Sequence, residues 1–405
     1  MLPPERRTRA DLLVAAGIAL VLVVSIVVVW ARSDARGTES VTAAAPADEP
    51  TPADTVPTVL HELWTAPSPD TTAPAPAAGA VATADGTAVV GRDPATGAEL
   101  WRYERDRDLC AVTASWDRAV AVYPDDRGCG QVTALDGSDG TRAAQRSSDA
   151  DPEITLSADG SYVVARGDTR LELWRSDLVR TVEYGRVDAP VNPNKQPRSG
   201  CTLIDAHTST ARLAVLERCP GESADRLTLL SPTPKDAQEP EEYASHVLAE
   251  IPSAADGTRI IAVWGENTAV YLPGGGGERP RIGIYDGAGN LSAVSALDSP
   301  ATAEARATVT GSSITWWSGT SLFGFSTNNL HPVWNYPGTI GPATIMAGRL
   351  LVPVQGGLAV LDPATGQPDS SIGVSRPPGT EAPVVPAVVG DVVLEQRGDT
   401  VTALR

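Results

Sequence analysis

The pentapeptide Asp-Pro-Ala-Thr-Gly occurs twice in this chain, at 93–97 and 362–366, each time after an apolar, strand-like run. A looser copy, Asp-Gly-Ser-Asp-Gly at 136–140, follows the first by 43 residues. A turn repeated at that interval marks a repeated supersecondary unit. Its length suits four antiparallel strands rather than a helical or leucine-rich repeat. The pattern constrains architecture far more than activity.

Strand signals fill the intervals. In Arg349 to Gly366 two alternating runs flank Gly356-Gly357, the composition of a tight hairpin. Ser161 to Trp174 and Asp391 to Leu404 each turn at a Gly-Asp pair, which places Arg-Gly-Asp-Thr, at 166 and again at 397, in equivalent hairpins rather than in an adhesion signal. Four-stranded units are predicted near 78–106, 109–147, 152–188, 199–249, 251–298, 305–337 and 339–374, with about three strands left in 382–405. Leu60 to Pro67 is a lone strand whose nearest cousin, Leu330 to Pro337, ends the sixth unit. The economical arrangement is an all-β propeller in which this N-terminal strand completes the last blade and removes the open edges. Residues 58–405 divided by the repeat interval give about eight blades. Seven remains an alternative, because the first unit is short and the fourth carries an insertion, Ser231 to His246.

Ahead of the repeats, Leu12 to Trp30 is an uncharged stretch of 19 residues, about 28 Å as a helix and long enough to cross a bilayer. The domain plan is therefore a cytoplasmic tail (1–11), a transmembrane helix (12–30), a disordered Pro/Ala/Thr-rich linker (31–57) and an extracytoplasmic propeller (58–405). A cleaved signal peptide is the alternative, although the small residues Ala43 to Ala45 lie far from the apolar stretch. Arg6, Arg7 and Arg9 precede the helix, and Arg32 and Arg36 follow it. Net charge is −18; residues 1–36 hold five Arg against Glu5, Asp11 and Asp34, which leaves −20 on the remainder. Such a surface repels phosphate backbones, so nucleic acid is not an expected partner. Thirty Arg stand against two Lys, Lys195 and Lys235, a bias that suits a GC-rich bacterial genome.

The four cysteines form two similarly spaced pairs, Cys110 with Cys129 and Cys201 with Cys219, each spanning one predicted hairpin. The start of one strand and the end of the next lie side by side in such a hairpin, so these pairings are expected as disulfides in an oxidising compartment. The zinc alternative has little support, since there is no CxxC spacing and His61, His207, His246 and His331 are scattered.

Gly91 to Trp101 resembles the tryptophan-docking repeat of quinoprotein-type (PQQ-like) propellers. In that repeat an Asp, a Thr-Gly turn and a Trp four residues beyond the Gly tie neighbouring blades together. Asp93, Thr96, Gly97 and Trp101 all match. At the second copy Asp362, Thr365 and Gly366 match, while Ser370 occupies the Trp position; the looser copy keeps Asp136 and Gly140, with Ala144 in place of Trp. The resemblance implies two classes of protein. Some relatives are dehydrogenases that hold pyrroloquinoline quinone (PQQ) and calcium in the funnel, and others are cofactor-free scaffolds. The enzymes usually have a longer chain and a vicinal cysteine disulfide, both lacking here, and no residue matches a calcium ligand.

Other chemistry leaves no trace. There is no GxSxG elbow and no phosphate-binding GxxxxGK[ST], Gly274 to Gly277 reads as a loop, Asp136 to Gly140 lacks a distal Glu for calcium, and the pair Asp125-Asp126 lacks any burial signal. The expectation is a membrane-tethered scaffold or sensor, without catalytic, cofactor or metal residues, that binds an envelope protein or cell-wall polymer. Its candidate contact loops are Val191 to Gly200 (with Lys195 and Arg198), the glycine loop (with Arg279 and Arg281) and Ser231 to His246. The adjacent Trp316 and Trp317 point to opposite faces of a regular strand, so the residue facing away from the core either binds a ligand or packs on a neighbouring blade.

Overall fold

The computed structural model describes residues 8–248, 257–274, 277–311, 313–380 and 383–405. Eight antiparallel sheets, seven of four strands and one of five, follow one another around an axis. Seven are built in chain order, spanning 75–105, 111–147, 155–185, 202–247, 259–296, 306–337 and 344–373. The eighth takes its three inner strands from Val384–Val389, Val392–Arg397 and Thr400–Leu404, and its outermost from Glu62–Pro67. Trp64 pairs with Ala403 and Ala66 with Val401 in that seam. The ring is thus closed by the N-terminal strand, with eight blades and not seven.

Burial explains why the strands read as they do. Middle strands such as Arg170–Trp174 and Gly357–Leu361 are buried throughout because both faces meet neighbouring blades. Outermost strands such as Leu291–Ala296 and Pro332–Pro337 alternate half-buried with exposed positions. The core is a series of wedges between blades. Val89, Trp101 and Tyr103 of blade 1 pack with Ala119, Ala121, Tyr123 and Leu135 of blade 2. At the closure, Val81 of blade 1 packs with Val392, Leu394 and Val401 of blade 8, so the hydrophobic seam is continuous across the join.

The cysteine pairs form the bridges Cys110–Cys129 and Cys201–Cys219. Each ties the start of a blade's innermost strand to the chain just before or within its third. The two Arg-Gly-Asp-Thr segments fall at hairpins between second and third strands. Trp316 and Trp317 are both buried: Trp316 lies against Tyr271 of blade 5 and Phe323, while Trp317 packs toward Leu350 and Val352 of blade 7 and donates to the Thr339 carbonyl at 3.3 Å. Each fills the wedge on its own side of blade 6.

One helix, Arg9–Ala31, is long and apolar enough to cross a membrane. Its first turn is closed by a reciprocal Thr8–Asp11 capping box. The predicted tail residues Arg6 and Arg7 lie outside the described residues. The segment expected as a disordered linker differs from that expectation. Thr38–Val41 pairs with Glu99–Arg105 as a fifth strand on blade 1, and Ala43 and Ala47 donate to the carbonyls of Asp139 and Ser138 in blade 2. Farther along, Pro50 lies against Gly390, while Ala53 and Val56 pack on the cluster containing Met346 and Val393. Composition showed too little apolar material for a core, but a strap of this kind is held mainly by backbone hydrogen bonds, which composition does not report.

Candidate functional site

Three side chains organise the outer ring. Trp64 of blade 8 donates Nε1–H to the Pro94 carbonyl at 2.8 Å and lies against Gly97; Trp101 of blade 1 donates to the Gly137 carbonyl at 2.7 Å and lies against Gly140; Trp334 of blade 6 donates to the Pro363 carbonyl at 3.2 Å and lies against Gly366. Each tryptophan docks on the turn of the following blade. The turns are preformed by their own residues: Asp93 Oδ1 accepts from Ala95 N, Thr96 N and Thr96 Oγ1 at 3.0, 2.8 and 2.9 Å, and Asp362 Oδ1 repeats this with Ala364 and Thr365. Those hydrogen bonds hold the Asp362 carboxyl below its ordinary pKa. Gly97, Gly140 and Gly366 have φ of +71°, +76° and +68°, where a side chain would be strained and would also collide with the docking ring.

A fourth dock escaped the sequence reading. Asp286 Oδ1 caps a turn through Ala288 N and Asn290 N, and Gly289 at φ +74° receives His246 of blade 4, whose Nε2 lies 3.2 Å from the Ala288 carbonyl. Histidine takes the tryptophan's place. The signal was the Asp-Gly-Ala-Gly-Asn run at 286–290, unrecognised without Thr or Trp.

Two of the three candidate contact loops meet at the rim between blades 3 and 4. Val191 N donates to Gln238 Oε1 at 3.0 Å, Gln196 Nε2 to the Gln238 carbonyl at 3.1 Å, and Lys195 pairs with Glu239 at 3.3 Å. Arg198 turns inward, with Nε 2.8 Å from the fully buried Glu217 and 3.1 Å from the Tyr184 hydroxyl, and it also pairs with Glu242. The glycine loop lies elsewhere, on blade 5, with Arg279 3.7 Å from Asp298 and Arg281 3.9 Å from Glu278; residues 275–276 are outside the described set.

The site that the sequence did not foretell lies on the axis. A half-open cavity of about 660 Å³ lies where the innermost strands of blades 2 to 6 begin, with the chain entering blade 1 on its remaining side. Its ionisable lining is Asp70, Arg166, Asp205, His207, Arg259 and Arg306. Asp205 and His207 alternate on Thr202–Thr208 and so share a face, with His207 Nε2 3.4 Å from Asp205 Oδ1. Asp205 also accepts from Ile260 N at 2.8 Å, fastening blade 4 to blade 5. Burial opposes charge on both groups, yet their mutual attraction prevails: Asp205 lies below its ordinary pKa and His207 above its own. His207 still keeps 36% of its side-chain surface open to the cavity. Asp70 Oδ2 accepts from Gly86 N at 2.8 Å, and burial raises its pKa.

The arginines are differently placed. Arg306 donates to the Thr72 carbonyl at 2.6 Å, and burial lowers its pKa; Arg259 donates to the Ala303 carbonyl at 2.9 Å; Arg166 donates to the Leu203 carbonyl at 2.8 Å and has exposed Asp168 3.8 Å away. Among the described residues no carboxylate lies within ion-pair distance of Arg259 or Arg306. The only signals in the sequence were Arg259 and Arg306 at the first positions of innermost strands, indistinguishable there from loop charges.

A quinone with calcium does not fit these residues. The one cluster of three metal-donor side chains among those described is Cys201, Glu217 and Cys219, and both sulfurs are already in a disulfide. In the cavity Asp205 is engaged by His207 and Ile260 N, and Asp70 by Gly86 N, so the donor set lacks the oxygen-rich cage calcium needs.

Residues 61–232, which span the closing strand and the first blades, match the family model described as outer membrane protein assembly factor BamB (PQQ_2). No curated protein matches the chain. Among solved structures, the computationally designed protein Ika8 is 14% identical, covering 89% of this chain and 99% of its own at a TM-score of 0.52. Sqt1 of Saccharomyces cerevisiae is 11% identical, covering 88% and 98% at 0.50. The quinohemoprotein alcohol dehydrogenase ADHIIG of Pseudomonas putida HK5 is 11% identical, covering 85% and 76% at 0.47. The likenesses to Ika8 and Sqt1 speak for the propeller fold alone, and that to the dehydrogenase carries no argument.

Proposed function

We propose that this chain is a membrane-tethered, extracytoplasmic binding module of the bacterial cell envelope, whose rigid wheel holds another envelope protein. The observation that carries the reading is the combination, in one chain, of an apolar anchor helix and a disulfide-stapled propeller whose first blades match a family described as an outer membrane assembly factor. Disulfides point to the oxidising side of the membrane. A closed propeller suits a scaffold because its strands are mutually buried, leaving loops and rims free to differ. The rim where 191–200 interlocks with 231–241 is the best-built candidate surface, since cross-loop hydrogen bonds hold it in shape before any partner arrives.

In-cell crosslinking of the full chain, read by mass spectrometry, tests this. The expected result is recurrent crosslinks from Lys195 and Lys235 to one envelope protein, with all four cysteines resistant to alkylation until reduced. Free thiols in cells, or crosslinks confined to the chain itself, would refute the proposal.

A further inference from the structure

We propose that the axial cavity is a binding site for a small, multiply charged oxyanion, a phosphate ester or an oligocarboxylate, held by Arg166, Arg259 and Arg306. The cavity is an electrostatic anomaly. Residues 37–405 carry −20, yet the ionisable lining has three arginines and a histidine against two aspartates. Those aspartates are already occupied, Asp205 by His207 and the Ile260 amide, Asp70 by the Gly86 amide.

The arginines come from blades 3, 5 and 6, with His207 of blade 4 between them in chain order. Their bonds to protein within the cavity run chiefly to backbone carbonyls, at Leu203, Gly257 and Ala303, and Thr72. A guanidinium has five donors, so each fork keeps N–H groups beyond those the protein uses. Arg259 and Arg306 stand half-buried with no carboxylate in ion-pair distance among the described residues, and Arg166 has exposed Asp168 at 3.8 Å; an oxyanion supplies the missing counter-charge through charge-assisted, bidentate bonds. At about 660 Å³ the cavity is of the size that holds a small organic ligand, and its polar and apolar walls suit a charged group on a compact body. The site is independent of the rim, so either can fail without the other.

Full-length protein in detergent, titrated calorimetrically with pyrophosphate and separately with citrate at constant ionic strength, tests the proposal. Saturable binding is expected, and the tighter of the two ligands identifies phosphate or carboxylate as the preferred chemistry. Arg259→Gln and Arg306→Gln are each expected to weaken it roughly 10- to 100-fold, whereas Arg175→Gln, on an exposed pair with Asp177, leaves it unchanged. Should either cavity variant fail to fold, Thr113→Glu, which sets a carboxylate in the same wall, replaces it and is expected to abolish binding. Affinity is expected to fall as pH rises and His207 loses its proton, a titration that burial and Arg166 shift down but Asp205 beside it shifts up, with Asp205 prevailing. Absence of saturable binding to both anions, or binding that survives Arg259→Gln together with Arg306→Gln, overturns the proposal.

Discussion

Glu172 shows how one side chain can hold a blade. Its carboxylate, almost wholly buried in blade 3, accepts from Arg146 at 2.8 and 3.1 Å, Arg170 at 2.9 Å, Trp174 Nε1 at 2.8 Å and Ser148 Oγ at 3.1 Å. Burial alone would raise its pKa, but the Arg146 hydrogen bond and the surrounding cations draw it down to about 2. A folded pKa below the unfolded one means stability that is complete above the unfolded value of about 4.3 and is lost as pH falls toward 2. Glu172→Gln is expected to cost about 3 kcal/mol at neutral pH, because it strands buried arginines, and to flatten the loss of stability between pH 4.5 and 2. Urea unfolding across that window, followed by tryptophan fluorescence, checks both. Nothing in the sequence marked Glu172: its neighbours in space, Arg146 and Arg180 (3.3 Å away), come from other strands, and a charge within a strand looks like an exposed face.

At the scale of the element, the docking turn is the informative unit. It was legible at 93–97 and 362–366 because Asp caps the Ala and Thr that follow it within five residues, so the whole geometry is written locally. The partner is not local: Trp64 and Trp334 serve the turns of the next blades, and His246 serves 286–290 without either Trp or Thr to announce it. Trp101→Ala is expected to lose about 3–5 kcal/mol of unfolding free energy, as large aromatic deletions from a core do, since the ring is fully buried between blades 1 and 2. Each disulfide closes a short loop, of separation 19 or 18. The paired change Cys110→Ser with Cys129→Ser is therefore expected to cost about 3 kcal/mol, read as a lower urea midpoint with a somewhat steeper slope, because the uncrosslinked unfolded chain exposes more surface. Both bridges were visible in the spacing, because a hairpin returns its ends to one place.

For the molecule as a whole, closure is the controlling fact. Removing residues 1–67 takes away the strand that pairs with Thr400–Leu404 and exposes an edge with its row of unpaired backbone groups. Chain lacking 1–67 is expected to aggregate or to lose its protease resistance, whereas chain lacking only 1–37 stays monomeric; light scattering after size exclusion separates the two outcomes. The ring and its closing strand were readable because Leu60 to Pro67 looks like the outer strand of another blade. The axial arginines were not, because no periodicity distinguishes a strand facing the axis from one facing solvent. Nor was the segment 38–56, which runs from the outermost strand of blade 1 to the cluster containing Met346 and Val393, and its docking limits how far the apolar helix can stand from the wheel. Only residues 32–37 separate the apolar helix from the strand docked on blade 1, a reach of about 20 Å at full stretch. With that helix in a bilayer, the wheel is hitched on a short lead: blade 1 rides next to the lipid headgroups, and any partner must be one that itself works within a few nanometres of the membrane surface.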